Sequence, residues 1–509
     1  MNSQRNCNLF EAFRARFPAD LDTVLLQTDD DRVYTYTDVL VESARIANFL
    51  IHLGARPGDR ITVQVDKSPE VVCLYLACLR AGLVYHPLNT AYKASELEYF
   101  LDNAEPRIVV CMAQSFSLFS SLAEATGIEQ VLTLEADSSG SLLRGAAEHP
   151  HSFDTVNCQS DDLAALLYSS GTTGRPKGIM LSHGNLASNG TTLVEQWGFG
   201  SDDCLLHALP VFHVHGLFVA IHCVLLSGAS MRWLNKFDAA RTMAFLPNCS
   251  VMMGVPTYYT RLLAEADFDT DTCAGMRLFI SGSAPLLAET FDEFQARTGH
   301  TIIERYGMTE TGMNTSNPLR GERRAGTVGP PLPGVDARVV DAGGHTLAAD
   351  EAGDLQVRGP NVFLGYWRMP EKTTEDFTDD GFFNTGDKAS ISKDGYISIV
   401  GRAKDMVICG GLNVYPKEIE QLLDELKGVR ESAVIGVAHP DFGEAVVAII
   451  VPEVESALKE REIIDFSKAR LANFKAPKRV FFLDELPRNA MGKVQKNLLR
   501  ERFANNCQF

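Results

Sequence analysis

Ser169-Ser170-Gly171-Thr172-Thr173-Gly174-Arg175-Pro176-Lys177-Gly178 packs hydroxyls, glycines and cations into one short run, and its reading decides the rest of the chain. Three glycines let the backbone bring N–H groups close to an anion, four hydroxyls can donate to phosphate oxygens or hold Mg²⁺, and Arg175 and Lys177 supply positive charge. The run reads as a phosphate-binding loop, against the alternative of a polar surface hairpin. Apolar runs flank it, Leu163 to Tyr168 before and Ile179 to Leu181 after, so it joins two strands. The Gly-x4-Gly-Lys-Ser/Thr spacing is absent, which excludes a Walker motif.

Alternating elements extend outward from the loop. Asp38 to Leu53 predicts an amphipathic helix with Thr37 or Asp38 as its cap and Gly54 as its stop. A strand at Ile61 to Val65, a helix from Ser68 to Arg80 and a strand at Val84 to Leu88 follow. The pattern recurs at Glu96 to Asn103, Ile108 to Cys111 and around Met276 to Ile280, and such alternation builds a layered α/β domain. From about 315 to 400 dense Gly and Pro with short strands at Gly353 to Val357 and Tyr396 to Val400 predict a β-rich subdomain. Strand and helix patterns return beyond residue 401, at Lys417 to Leu426, Ser432 to Val437, Ala445 to Val451 and Arg479 to Leu483. The expected division is a large N-terminal domain, 1–401, and a small mobile α+β domain, 402–509.

A chain of 509 residues with 45% hydrophobic and 22% charged residues exceeds what one core organises. A net charge of −18 argues against nucleic acid or an anionic membrane as partner, so an anionic substrate must be met by local cations. The 11 cysteines sit singly in apolar segments with no Cys-x-x-Cys pair, which suits reduced thiols in the cytoplasm. Neither a signal peptide nor an apolar run of membrane-spanning length is evident.

Four further segments resemble, in matching order, the adenylate-forming superfamily that includes acyl-CoA synthetases, peptide-synthetase adenylation domains and beetle luciferases. The resemblance covers nearly the whole chain. Tyr306-Gly307-Met308-Thr309-Glu310-Thr311 is similar to the segment in which Thr309 would contact the nucleotide phosphate and Glu310 would help hold Mg²⁺ with Thr172. Taken alone, Thr-Glu would read as a helix cap. Thr385-Gly386-Asp387 resembles the segment whose aspartate accepts both ribose hydroxyls, and Gly401-Arg402-Ala403-Lys404-Asp405 the linker with Arg402 near the ribose and Lys404 as the hinge. Pro487 to Lys493 resembles the loop whose lysine bridges the substrate carboxylate and the α-phosphate. The resemblance implies ATP contacts by Ser169, Ser170, Gly171, Thr172, Thr173, Gly174, Lys177, Ser283, Ala284, Pro285, Glu304, Thr309, Asp387, Arg402 and Lys493. It assigns catalysis to Lys493, Glu310 and Thr309. Gly410-Gly411 is either an ordinary turn or a place for the pantetheine arm of coenzyme A.

Such an enzyme would convert a carboxylate to an acyl-AMP with release of pyrophosphate, and a thiol would then attack the acyl carbon. Arg305 bears on the acid, because an arginine beside the acyl pocket does not suit an alkyl tail. Arg305, Arg261, Ser283 and His207 are expected to clamp a second carboxylate, for which Arg has the bidentate geometry. The alternative reads Arg305 as a structural ion pair and Arg261 as a surface residue. Glu304 to Glu310, Asn314 to Ser316 and Leu206 to Gly216 resemble malonyl-CoA synthetases, implying malonate or methylmalonate as substrate, with a short monocarboxylate as the alternative. His213 and His215 read as pocket wall or core rather than as metal ligands. An amino-acid-activating enzyme serving a carrier protein would need an aspartate near the start of the pocket segment, and His207 to His213 holds none.

Overall fold

The computed structural model describes residues 6–169, 176–402, 405–409, 412–439, 443–454, 456–471, 473–489 and 492–504. The Thr35 hydroxyl accepts from the Asp38 N–H while Asp38 caps in return, so the helix Tyr36–His52 starts two residues earlier than its apolar spacing suggested. Capping by Thr35 replaces the expected Thr37 or Asp38, because the reciprocal box satisfies two amide donors at once. Pro69–Arg80 follows its sequence signal residue for residue, with proline at the first position and all twelve residues buried.

That buried helix packs on one of two large sheets. One runs Gly365–Tyr366, Lys177–Ser182, Leu163–Ser169, Val84–Pro87, Arg60–Gln64, Ile108–Cys111, Gln130–Thr133. Its last five strands are parallel, and Leu163–Ser169 pairs antiparallel with Lys177–Ser182, as the two apolar runs around the loop required. The other sheet runs Gly312–Ser316, Ile302–Met308, Leu278–Ser281, Val251–Gly254, Cys204–His207, Ser230–Trp233, Val24–Thr28, Val33–Thr35. It is parallel through its middle and closed by an antiparallel pair at each end. Buried parallel strands need apolar residues on both faces, which is why Val251–Gly254 and Leu278–Ser281 read as continuous apolar runs.

An antiparallel sheet of Asp336–Val340, Gly353–Arg358, Phe383–Ile391 and Ile397–Arg402 forms the β-rich subdomain. The boundaries differ from the sequence reading. Gly312–Ser316 and Gly365–Tyr366 belong to the two large sheets, and Arg402 is still strand, in register with Asp387. Gly and Pro density marks turns, not which sheet a strand joins.

The C-terminal part has cores of its own. Strands Val429–His439 and Gly443–Pro452 pair along their length, Arg479–Phe482 adds in parallel, and helices Pro416–Asp424, Glu460–Lys468 and Lys496–Phe503 cover the sheet. Among the described residues no helix is long and apolar enough to cross a membrane.

Candidate functional site

The carboxyl ends of the parallel strands and the hairpin Ile302–Met308 to Gly312–Ser316 converge on one region, as ligand sites do in open α/β sheets. The turn of that hairpin carries Thr309 and Glu310. Glu310 is 6% exposed, and its Oε1 accepts a long hydrogen bond from Ser169 Oγ at 3.4 Å, so the last described residue before the phosphate loop meets the expected Mg²⁺ carboxylate. Burial raises the Glu310 pKa, opposed by the charges of Arg402 and Lys177. Asn189 and Asn361 hold the hairpin backbone: Asn189 bonds both the N–H and the C=O of Met313, at 3.0 and 2.9 Å, and Asn361 donates to Thr311 O at 2.7 Å. These asparagines were missed by sequence reasoning, since nothing in sequence distinguishes an asparagine bridging distant backbone from one in a turn.

Asp387, 2% exposed, forms a fully paired cluster next to it. Tyr306 Oη donates to Oδ2 at 2.5 Å and Arg402 Nε lies 2.8 Å from Oδ1. Each carboxylate oxygen retains a second lone pair for a hydroxyl. Lys177 pairs with Asp376 at 3.6 Å and lies 4.1 Å over the Tyr366 ring, while its charge reaches Glu310. Glu304 is buried on the opposite face of its strand from Arg305; its Oε1 accepts from Leu286 N–H at 3.2 Å, and burial pushes its pKa up to about 7. Ala284 is half-buried and Pro285 exposed in the turn that ends at Leu286.

Arg305 is the opposite case. Its side chain is 3% exposed, its Nε and Nη2 have no hydrogen-bond partner, and among the described residues no carboxylate lies within 4.0 Å. Desolvation pushes its pKa down to about 9. The guanidinium lies on the backbone of Gly282, where a Cβ would sit 2.4 Å from Arg305 Cζ, so only glycine admits it. Around it are His215, buried, and His213, half-buried, both with depressed pKa values, first by desolvation and then by the Arg305 charge; His213 falls to about 4. Ser283, in the left-handed region at φ +70°, places its Oγ 3.2 Å from His215 Nδ1, and His215 Nε2 is without a partner. A non-glycine residue held at positive φ stores strain, and such residues gather at ligand sites. Among the described residues no three metal-ligating side chains cluster.

Two expected clamp residues are not part of this niche. Arg261 is exposed on the helix Pro256–Leu263, whose buried face is Tyr259, Leu262 and Leu263; helical spacing turns residue 261 outward. His207 is buried with both ring nitrogens engaged, Nδ1 2.8 Å from Lys67 Nζ and Nε2 2.9 Å from Gly216 O, so neither is left for a ligand.

Lys493 reaches the region from the C-terminal part. It is exposed, its backbone is closed into a tight turn by Asn489, and its charge lowers the pKa of His213. Gly492, at φ +72°, lies so near Thr257 that a Cβ would be 3.0 Å from its hydroxyl. Ser170, Gly171, Thr172, Thr173 and Gly174 of the loop, Lys404, which the resemblance gave as the hinge, and the pair Gly410-Gly411 lie outside the described residues.

The family model for AMP-binding enzymes matches residues 10–367, and the model for their C-terminal domain matches 418–493. The chain belongs to the AMP-binding enzyme family. Family relatives include a malonate–CoA ligase of Arabidopsis thaliana, 33% identical over 99% of this chain and 90% of that protein. ATP-bound MatB from Rhodopseudomonas palustris is 50% identical, and the match covers 99% of this chain and 100% of that one at a TM-score of 0.97. Apo MatB from the same organism, over the same coverage and at the same 50% identity, superposes with a TM-score of 0.85. The family's large and small domains are both present in this mixed α/β chain.

Proposed function

We propose that this AMP-binding enzyme joins malonate to coenzyme A through an acyl-AMP, releasing AMP and pyrophosphate, with methylmalonate as the next candidate. One observation carries the choice of acid: Arg305 is buried with no counter-ion among the described residues. A buried charge needs a partner, and a structural arginine would have one within the chain. The missing anion is then the second carboxylate of the substrate, which would accept hydrogen bonds from Nε and Nη2 of Arg305 and from the unpartnered Nε2 of His215. His213 and His215, neutral at pH 7, add donors and acceptors without adding charge. The malonate–CoA ligase relative and the likeness to MatB support the same reading.

The common chemistry falls to the other groups. Asp387, oriented by Tyr306 and Arg402, accepts from the ribose hydroxyls. Glu310 is a buried carboxylate with no cation within 4.0 Å among the described residues, a donor type that suits Mg²⁺; with Thr172 it would hold the ion, which neutralises phosphate charge when bound. Lys493 stands where it can bring the reacting carboxylate to the α-phosphate, offsetting the repulsion between two anions by position and charge. Thr309 donates to the phosphate, as do the hydroxyls and amides of the loop from Ser169. Oxygen of the carboxylate attacks the α-phosphorus, pyrophosphate leaves, and the thiol of coenzyme A then displaces AMP from the acyl carbon. Lys404 is the hinge of that second step and Gly410-Gly411 flank the thiol arm.

The test is a coenzyme A-dependent AMP-release assay across malonate, methylmalonate, succinate and butyrate. Malonate should give the highest kcat/KM. Methylmalonate should differ by what one methyl is worth in a pocket, about 1–3 kcal/mol. Equal turnover of butyrate and malonate would remove the reading.

A further inference from the structure

Lys67 sits where the two large sheets meet, in the loop between strand Arg60–Gln64 and helix Pro69–Arg80. Its ammonium nitrogen is 2.9 Å from His207 O and 2.7 Å from Leu234 O, at the carboxyl ends of the neighbouring strands Cys204–His207 and Ser230–Trp233. The third contact is His207 Nδ1 at 2.8 Å. No carboxylate lies within 4.0 Å of it among the described residues, and Lys67 is buried, with 9% of its surface exposed. Burial pushes both Lys67 and His207 toward their neutral forms.

Counting donors decides the protonation of the pair. His207 Nε2 is 2.9 Å from Gly216 O, and a carbonyl only accepts, so Nε2 carries a hydrogen. The two carbonyls take two N–H bonds from Lys67. For the contact between Nζ and Nδ1, an ammonium can donate to a neutral imidazole, or an imidazolium can donate to a neutral amine. Both arrangements satisfy every contact and both carry one positive charge. With neither group protonated, two lone pairs would face each other at 2.8 Å inside the protein. The Trp233 ring answers the same charge: Nζ lies 4.2 Å over it and His207 stacks on it at 4.8 Å.

We propose that Lys67 and His207 share one proton as a buried monocation whose task is to position the carboxylate niche. Through Gly216 O the pair grips the π-helix His215–Ile221 at its first turn, and that turn carries His215 and, just before it, His213 against Arg305. Lys67 touches no reacting atom; it is a positioning residue for the second carboxylate. This inference rests on the dicarboxylate reading for its consequence but not for the proton itself.

Two measurements test it. In protein labelled with ¹⁵N in lysine and histidine, without substrate at pH 7, the pair should show either a protected ammonium from Lys67 or a doubly protonated His207 ring, assigned by its loss in Lys67→Met. A neutral amine beside a neutral ring would overturn the proposal whatever the substrate is. In kinetics, Lys67→Met should lower kcat/KM for malonate by about ten- to a hundredfold, since small misplacements at a site are that expensive, while KM for ATP stays within about twofold. The double variant Lys67→Met, His207→Leu removes both buried polar partners and so guards against simple misfolding of the single one. It should keep the loss for malonate. Restored malonate turnover in the double variant, or equal loss of malonate and ATP use in the single one, would overturn the positioning role.

Discussion

Asp387 and Arg305 are both buried, both charged and both carried on strands, Phe383–Ile391 and Ile302–Met308, yet one is saturated and the other is bare. Asp387 receives Tyr306 at 2.5 Å and Arg402 at 2.8 Å, whereas Arg305 keeps two guanidinium nitrogens without a partner. The difference separates what is shared from what is chosen. A group that orients the nucleotide is fixed in advance, because the ribose hydroxyls it meets are neutral and only need direction. A group that selects a diacid is left unpaired, because the substrate itself brings the compensating charge.

The largest expected effect comes from a residue that belongs to neither region. Lys493→Ala should lower malonyl-AMP formation by about 10³-fold or more, in line with loss of a preorganised charge at developing negative charge. Thioester formation from supplied malonyl-AMP should persist, as followed by thiol consumption. Equal loss of both half-reactions would mean that Lys493 does not act at the adenylation step alone.

Arg305→Ala tests the bare side of the comparison. Leaving one carboxylate of a dianion uncompensated is worth about 3–5 kcal/mol, so kcat/KM for malonate should fall by roughly two to three orders of magnitude. Butyrate should lose little, and KM for ATP should hold. A common fall for malonate and butyrate would return Arg305 to a structural role and dissolve the contrast with Asp387.

Tyr306→Phe tests the saturated side. Loss of one hydrogen bond to a charged group, about 1.5–3 kcal/mol, should raise KM for ATP by about tenfold or more and leave the malonate-to-butyrate ratio unchanged. A shift in that ratio would show that the two regions are coupled. Arg261→Ala should do least, within about twofold for every substrate, since an exposed substitution rarely moves stability or binding by more than about 0.5 kcal/mol. A malonate-specific defect there would bring Arg261 back to the niche.

Motifs were legible wherever function is written in contiguous residues. The phosphate loop announces itself by local chemistry, because glycines, hydroxyls and cations follow one another along the chain; Tyr306 to Thr311, Thr385 to Asp387 and Pro487 to Lys493 were legible only through their resemblance to family segments. Pro69–Arg80 was equally plain, since proline at its first position and an unbroken apolar run leave no other reading. What sequence left open was which polar residues already have partners. Arg261 read as a second clamp cation beside Arg305 and His207 as a residue completing the polar site, but Lys67, 140 positions away from His207, occupies its ring, and the helix turns Arg261 to solvent. Pairing is a property of distance in space, and burial strips each charge of the water that would otherwise make every arginine alike. The sequence by itself therefore determined the layered α/β fold and a phosphate-binding loop, both carried by local pattern, while the rest of the nucleotide chemistry was carried by the resemblance of short segments to the family's. Only the tertiary structure decided that Arg305 is a buried cation left without an anion among the described residues, with two guanidinium nitrogens unpartnered, because that depends on every side chain that packs around it.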